Sequence, residues 1–363
     1  MTELLILSEL FEESDQTDNA IEAYQSLLKL DPMRVDPYRK LYTLYLTRQT
    51  YDEAWCLAAA LVFLRQAGDE ERQFFEDYRP QGLPQVAARL DHESWLRTLF
   101  HPDESLYVGK IFEYLTPAAL RAKVDQMRQK NEVPVLDPRF RQDPATSTVT
   151  FARTFGWAVS VLGLPMPALY VRSDVPGALS HVPIEPAASL AGQTVLSGFT
   201  PQELTFIVGK HVSYYRGEHY IKALFPTVTE LTLLFFAGIK LVAPEQPVPP
   251  DMLNQVVATA QSLGRYMQPV ELEGLKLAVR KFVSDDGSVN IKRWAQCAEL
   301  TSARAGFLLS GDLEVAKKIV SAEPQLPGDL TLQEKLRELL IFSVSPAYFK
   351  LRSQLGLAIK VGQ

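Results

Sequence analysis

The side chains best suited to chemistry in this chain gather on one stretch, LTFIVGKHVSYYRGEHY, running from Leu204 to Tyr220. It holds Lys210, His211, Tyr214 and His219. An imidazole is the usual acid or base near neutral pH, and an ammonium such as that of Lys210 attracts anions. A carboxylate that could join them is Glu299, in the segment ELTSARAG. Taken alone, Lys210 and His211 read as solvated residues on an exposed helix face. His219 lies eight residues after His211. That is about two helical turns, too far for two imidazoles to share one ion unaided, so His219 reads as an exposed or helix-end histidine. Ser180 and His181 have the types of a nucleophile and its base, but adjacent residues of extended chain point apart, and the pair reads as a turn.

The positioning elements are mostly helical. Thr200-Pro201-Gln202-Glu203 is a capping box with proline in the first turn, and it launches the helix carrying Lys210. Before it come a helix near Ser147 to Leu162, a strand at Ala168 to Arg172, Pro- and Gly-rich turns, and a second strand near Ser189 to Ala191, so the sheet is small. After it, Leu231 to Ile239 is an apolar run of nine residues. A spanning helix needs about 20, so this reads as a buried core helix with no membrane span. The loop VAPEQPVPP follows, with Asp251 capping the next helix; Thr331 with Glu334, and Ser345-Pro346, open the last two. Upstream, Glu70 to Arg139 has helical periodicity, with Thr116-Pro117 as the cap and first turn of a new helix. Pro134, Pro138 and Pro144 mark an extended linker.

The 363 residues carry 37 Lys and Arg against 43 Asp and Glu, a net charge of −6, which argues against nucleic acid as the main partner. Cys56 and Cys297 are too few for a disulfide framework and read as buried thiols in a reducing compartment. The first residues, MTELLILSELFEE, lack the positive region of a secretion signal, and the expected location is cytoplasmic.

Residues 34 apart at the start of the chain carry equivalent types: Leu7 and Leu41, Phe11 and Tyr45, Ala20 and Ala54. Small alanines let paired helices approach closely, while the larger side chains fill the groove to the next hairpin. The pattern resembles the tetratricopeptide repeat, met in the first copy by Leu7, Phe11, Ala20, Tyr24 and Pro32. The second copy departs at Ala58 and Gln66. About three repeats are needed for an independently stable solenoid, so the open end is expected to be capped by later helices or to continue a longer array. Tyr38, Arg39 and Tyr42 are the candidate lining of a groove for a protein or peptide partner.

The small sheet, the capped helix ending in GKHVSYYRGEH and the downstream ELTSARAG, followed by LLSGDLEVA, resemble the zinc metallopeptidases that include HtpX-like proteases and CAAX prenyl endopeptidases. That resemblance implies two histidine ligands at i and i+4, a general-base glutamate beside the first, and a third glutamate ligand. Here the ligand positions hold Lys210 and Tyr214, the base position holds His211, and only Glu299 remains. Protonated lysine has no lone pair for zinc and neutral tyrosine is a poor ligand, so no metal or other cofactor is expected. An ion pair between Lys210 and Glu299, with Tyr214 in the same pocket, is expected instead, because a buried carboxylate without its cation is strongly destabilising.

The expected architecture is mainly α with a small β component: helical-hairpin repeats over 1–78, a helical connector and linker over 79–139, and a degenerate metallopeptidase-like α+β domain over 140–363. Such a combination is expected among large bacterial repeat proteins. The function this implies is a non-catalytic interaction scaffold, a pseudoenzyme. Two alternatives stand beside it: a sensor of an anionic small molecule drawn by Lys210, and an unconventional hydrolase using His211 and Glu299.

Overall fold

Helices α1 (Thr2–Glu13) and α2 (Thr17–Leu30) form one hairpin, and α3 (Asp36–Thr47) and α4 (Tyr51–Phe63) a second. The computed structural model describes residues 2–361 other than Gln81 and Asp286. The 34-residue period is present in the backbone. Asp15 and Gln49 both turn at φ 59°, and the next amides, of Gln16 and Thr50, donate to the carbonyls of Phe11 and Tyr45 at 2.8 and 3.0 Å. Ala20 and Ala54 are both fully buried where the paired helices meet. Helix α5 (Asp69–Asp77) closes on α4 by stacking Phe75 on Trp55, with ring centroids 5.6 Å apart.

A short turn, α6 (His92–Ser94), runs through a π-helical stretch into α7 (Leu106–Gln129). Thr116-Pro117 does not start a new helix. Pro117 lies inside α7, with Leu115, Ala118 and Ala119 buried on either side of it, while Thr116 Oγ donates to the Phe112 carbonyl at 2.6 Å. Packing along both sides outweighs the one backbone hydrogen bond that proline removes.

Beyond the proline-rich stretch come β1 (Arg141–Gln142), α8 (Thr150–Val161), β2 (Ala168–Val171), β3 (Leu179–Val182) and β4 (Ala188–Ala191). The sheet order is β1-β2-β4-β3, with β2 and β4 parallel and Leu169 opposite Ser189. Strand β3 corrects the reading of Ser180-His181 as a turn. The segment is four residues long between Pro- and Gly-rich stretches, too short for alternation to show, and its order comes from antiparallel pairing with β4.

Helices α9 (Gln193–Leu196), α10 (Pro201–Ser213), α11 (Gly217–Leu224), α12 (Val228–Val242), α13 (Leu253–Gly264), α14 (Pro269–Ser284), α15 (Ile291–Ser310), α16 (Leu313–Ser321), α17 (Leu332–Ser343) and α18 (Pro346–Leu355) complete the fold. The capping box at Thr200 is formed in both directions: the Glu203 amide donates to Thr200 Oγ at 3.2 Å and the Thr200 amide to Glu203 Oε2 at 2.8 Å. Asp251 does not cap α13. It lies within a single 3-10 turn, Pro250–Met252, and Met252 takes the cap position. Among the described residues no helix is long and apolar enough to cross a membrane.

Two hydrophobic cores result. The larger runs without a break from Ala20 in α2 through Phe155 in α8 and Phe307 in α15 to Leu355 in α18, so the first hairpins and the last helices share one interior. The second is built on α7, whose Phe112 and Leu115 meet Phe235 of α12, Val279 of α14 and Trp294 of α15.

Candidate functional site

Helices α10 and α15 approach almost backbone to backbone. A Cβ on Gly306 would stand 2.7 Å from the Phe206 carbonyl oxygen, and one on Gly209 would stand 3.0 Å from the Cα of Gly306. With no side chain between the two glycines, Lys210 on α10 and Glu299 on α15 come within reach, one helix from each wall of the site.

Glu299 is caged by ammonium groups. Lys210 Nζ lies 3.7 Å from its Oε1, Lys222 Nζ of α11 lies 3.6 Å from its Oε2, and Lys335 of α17 donates to Oε1. The expected Lys210–Glu299 pair is present, but Lys335 is the closer cation and Lys210 is shared with Glu323 at 2.5 Å. Burial pushes the Glu299 pKa up; the charges of Lys210 and Lys222, with the Lys335 hydrogen bond, outweigh it and bring the group down to about 2. Tyr214 lies in the same cluster, where Ser302 Oγ donates to its hydroxyl at 3.3 Å and burial holds its pKa above the ordinary phenol value. Both oxygens of the single carboxylate thus face ammonium groups. With Lys210 and Tyr214 at the other positions, the donor set does not fit zinc.

His211 belongs to a different cluster, because the next residue on a helix points about 100° away. Its Nε2 meets Ser189 Oγ at 2.8 Å, Ser189 Oγ meets the Tyr215 hydroxyl at 2.6 Å, and the ring stacks on His181 with centroids 3.8 Å apart. His181 Nε2 donates to the His211 carbonyl at 3.0 Å. Burial depresses both imidazoles, His181 to about 4 and His211 well below its ordinary value, the latter also by the proximity of His181. Both rings are neutral at pH 7. Ser189 is fully buried, so the Ser189–His211 contact joins strand β4 to α10 inside the fold. His211 makes its hydrogen bonds here, with none to Glu299.

His219 is not an exposed or helix-end residue; it is fully buried, with Nε2 2.5 Å from Glu104 Oε1. Thr301 donates to the other oxygen of Glu104 at 2.7 Å. The partner comes from 115 positions upstream in sequence, which no local pattern signals. Lys222, Lys335 and Glu323 are equally invisible to local spacing, since they reach the site from α11, from α17 and from the loop after α16.

Tyr38 and Tyr42 do not line a groove. Tyr38 is fully buried, its hydroxyl donating to the Pro32 carbonyl at 2.9 Å, and Tyr42 is 9% exposed. Both alternate into the core with Leu41, which leaves Arg39 as the exposed member of the set, held to the Gln66 carbonyl at 2.8 Å. A groove of about 510 Å³ does exist beside it, where α1 and α3 meet over α2, lined by Leu5 and Glu12 of α1, Tyr24 of α2, and Arg39, Lys40 and Thr43 of α3.

Comparison with known proteins returns no matching family model, no matching curated protein and no matching solved structure.

Proposed function

We propose that the chain is a non-catalytic protein-interaction scaffold whose second part is a metallopeptidase-like unit without its metal chemistry. The observation that carries the reading is the occupancy of Glu299 by Lys210, Lys222 and Lys335, which sets ammonium groups against the one carboxylate of the ligand pattern. Binding then falls to the helical hairpins. The α1–α3 groove offers a mixed-charge, partly apolar floor suited to a peptide, with Arg39 exposed beside it and the Lys40–Glu12 ion pair, at 3.0 Å, joining α3 to α1.

Metal content of the purified protein, measured by mass spectrometry for the native chain and for Glu299→Ala, tests the reading. The expected result is no stoichiometric transition metal in either. Zinc near one per chain that the substitution removes would overturn it.

One observation favours the anion-sensor alternative: three lysines face only two carboxylates, Glu299 and Glu323, in this cluster. That reading requires an anion to raise the melting temperature and Lys210→Met to abolish the rise.

A further inference from the structure

Where the second hairpin meets α17 there is an apolar groove of about 540 Å³, separate from the α1–α3 groove. Its one wall is a stripe along α17, Leu332, Leu336 and Leu340, spaced four residues apart. Eight residues of helical rise make that wall about 12 Å long, close to two turns of helix. The opposite wall is Phe63 and Leu64 at the end of α4, with Met33 from the loop after α2. The groove lies open: Met33 is 64% and Leu332 40% exposed.

Its charged lining is of one sign. Among the described residues, Arg65, Lys317 and Arg337 are the ionisable side chains that line it, in a chain whose net charge is −6. Arg337 spans toward the hairpin, donating to the Leu30 carbonyl at 3.0 Å. Lys317 rests over the Phe63 ring at 5.7 Å, and its contact with Glu314 is long, 3.8 Å, and well solvated. Arg65 stands on a left-handed turn at φ 58° that ends α4 and makes no ion pair among the described residues.

An apolar trough two turns long with a basic rim is complementary to a helix that has apolar residues on one face and acidic residues beside them. We infer that this groove docks an acidic amphipathic helix of a partner protein, with two or three apolar side chains seated along the α17 stripe and carboxylates facing Arg65, Lys317 and Arg337. The steering charge and the apolar seat act together: the rim orients the helix and the leucines hold it.

The experiment uses the full chain and two labelled synthetic helices of about 16 residues, identical in their leucines at i, i+3, i+4 and i+7 and differing only in having glutamate or lysine at the flanking positions. Binding is followed by fluorescence anisotropy. The glutamate peptide is expected to bind about tenfold more tightly than the lysine peptide. Arg65→Glu with Lys317→Glu, both away from the core, is expected to reverse that preference, and Leu336→Asp to weaken the glutamate peptide about tenfold, with circular dichroism confirming that each variant is folded. Equal binding of the two peptides, or a preference unmoved by the charge reversal, overturns the proposal. So does binding of a fluorescent fatty acid in the groove while the glutamate peptide fails to bind, which would make the site a lipid pocket.

Discussion

The Cβ that Gly209 lacks would stand 3.0 Å from the Cα of Gly306. This crossing of α10 and α15 sets how far Lys210 lies from Glu299, so the electrostatics of the site depend on two residues that carry no charge. Gly306→Val would drive its side chain into the Phe206 carbonyl, 2.7 Å from the added Cβ, and into the backbone of Lys210. The expected loss is about 1–3 kcal/mol, the usual range for overpacking a close contact. Urea denaturation of the variant beside the native chain measures it, and an unchanged midpoint would refute the account of the crossing.

The lysine cage makes Glu299 one acid-sensitive point of the fold. Its folded pKa, about 2, lies below the ordinary value of 4.5, so the stabilisation it contributes is complete above pH 4.5 and is lost as the pH falls toward 2. A shift of that size corresponds to roughly 3 kcal/mol. Glu299→Gln should remove that part of the acid dependence. It should also destabilise the protein at pH 7 by about 3–5 kcal/mol, because it leaves the buried Lys335 and the largely buried Lys222 without their carboxylate, while Lys210 keeps Glu323. Stability curves of both proteins from pH 6 to 2.5 decide it.

The imidazole pair titrates in a different window. His181 and His211 are neutral when folded, while an unfolded histidine takes a proton near 6.5. The unfolded state therefore binds more protons below that value, and stability falls on acidification from pH 6.5 toward 4. For His181, with a folded value of about 4, the loss by pH 5 is about 2 kcal/mol. His181→Gln, which keeps a donor for the His211 carbonyl, should flatten the slope between pH 7 and 5. A slope unaltered by the substitution would show that the stacked pair is not its source.

Most features that close within a few residues could be read before the structure, although Thr116-Pro117 and Asp251 were local signals that packing overrode, and most that depend on distant partners could not. The capping boxes at Thr200 and Thr331 each close within four residues, and the 34-residue period needs only two copies to be visible; all are present. Glu299 and Lys210 stood out by their place in two segments of sequence. Lys335, the closest cation, sits in an amphipathic helix where one lysine looks like any other until α17 is folded against α15. Tyr38 and Tyr42 misled for a related reason: aromatic residues on a repeat helix serve either a ligand or the neighbouring helix, and here the neighbour took them. Strand β3 was hidden by its length, since four residues carry too little alternation to outweigh the turn residues beside them.

The hairpins and the last helices should unfold together, and the reason is one buried ion pair. Asp52 of α4 accepts from Arg352 Nε at 2.9 Å and from Nη2 at 2.7 Å, and its Oδ1 also receives the Ile359 amide at 2.8 Å. The guanidinium lies over Trp55 at 4.7 Å, and both charged residues are buried, Arg352 at 2% and Asp52 at 8% exposure. Asp52→Asn leaves that guanidinium buried without its counter-charge, at an expected cost of about 3–5 kcal/mol. The double variant Asp52→Leu with Arg352→Met removes both charges and should recover much of the loss, because an apolar pair of similar volume often replaces a buried ion pair without penalty. Since the same side chains tie α4 to α18 within one continuous core, heating the native chain should give a single transition by circular dichroism and by tryptophan fluorescence. Two separated transitions, or an Asp52→Asn variant of undiminished stability, would mean that the hairpins fold independently of the helices packed against them.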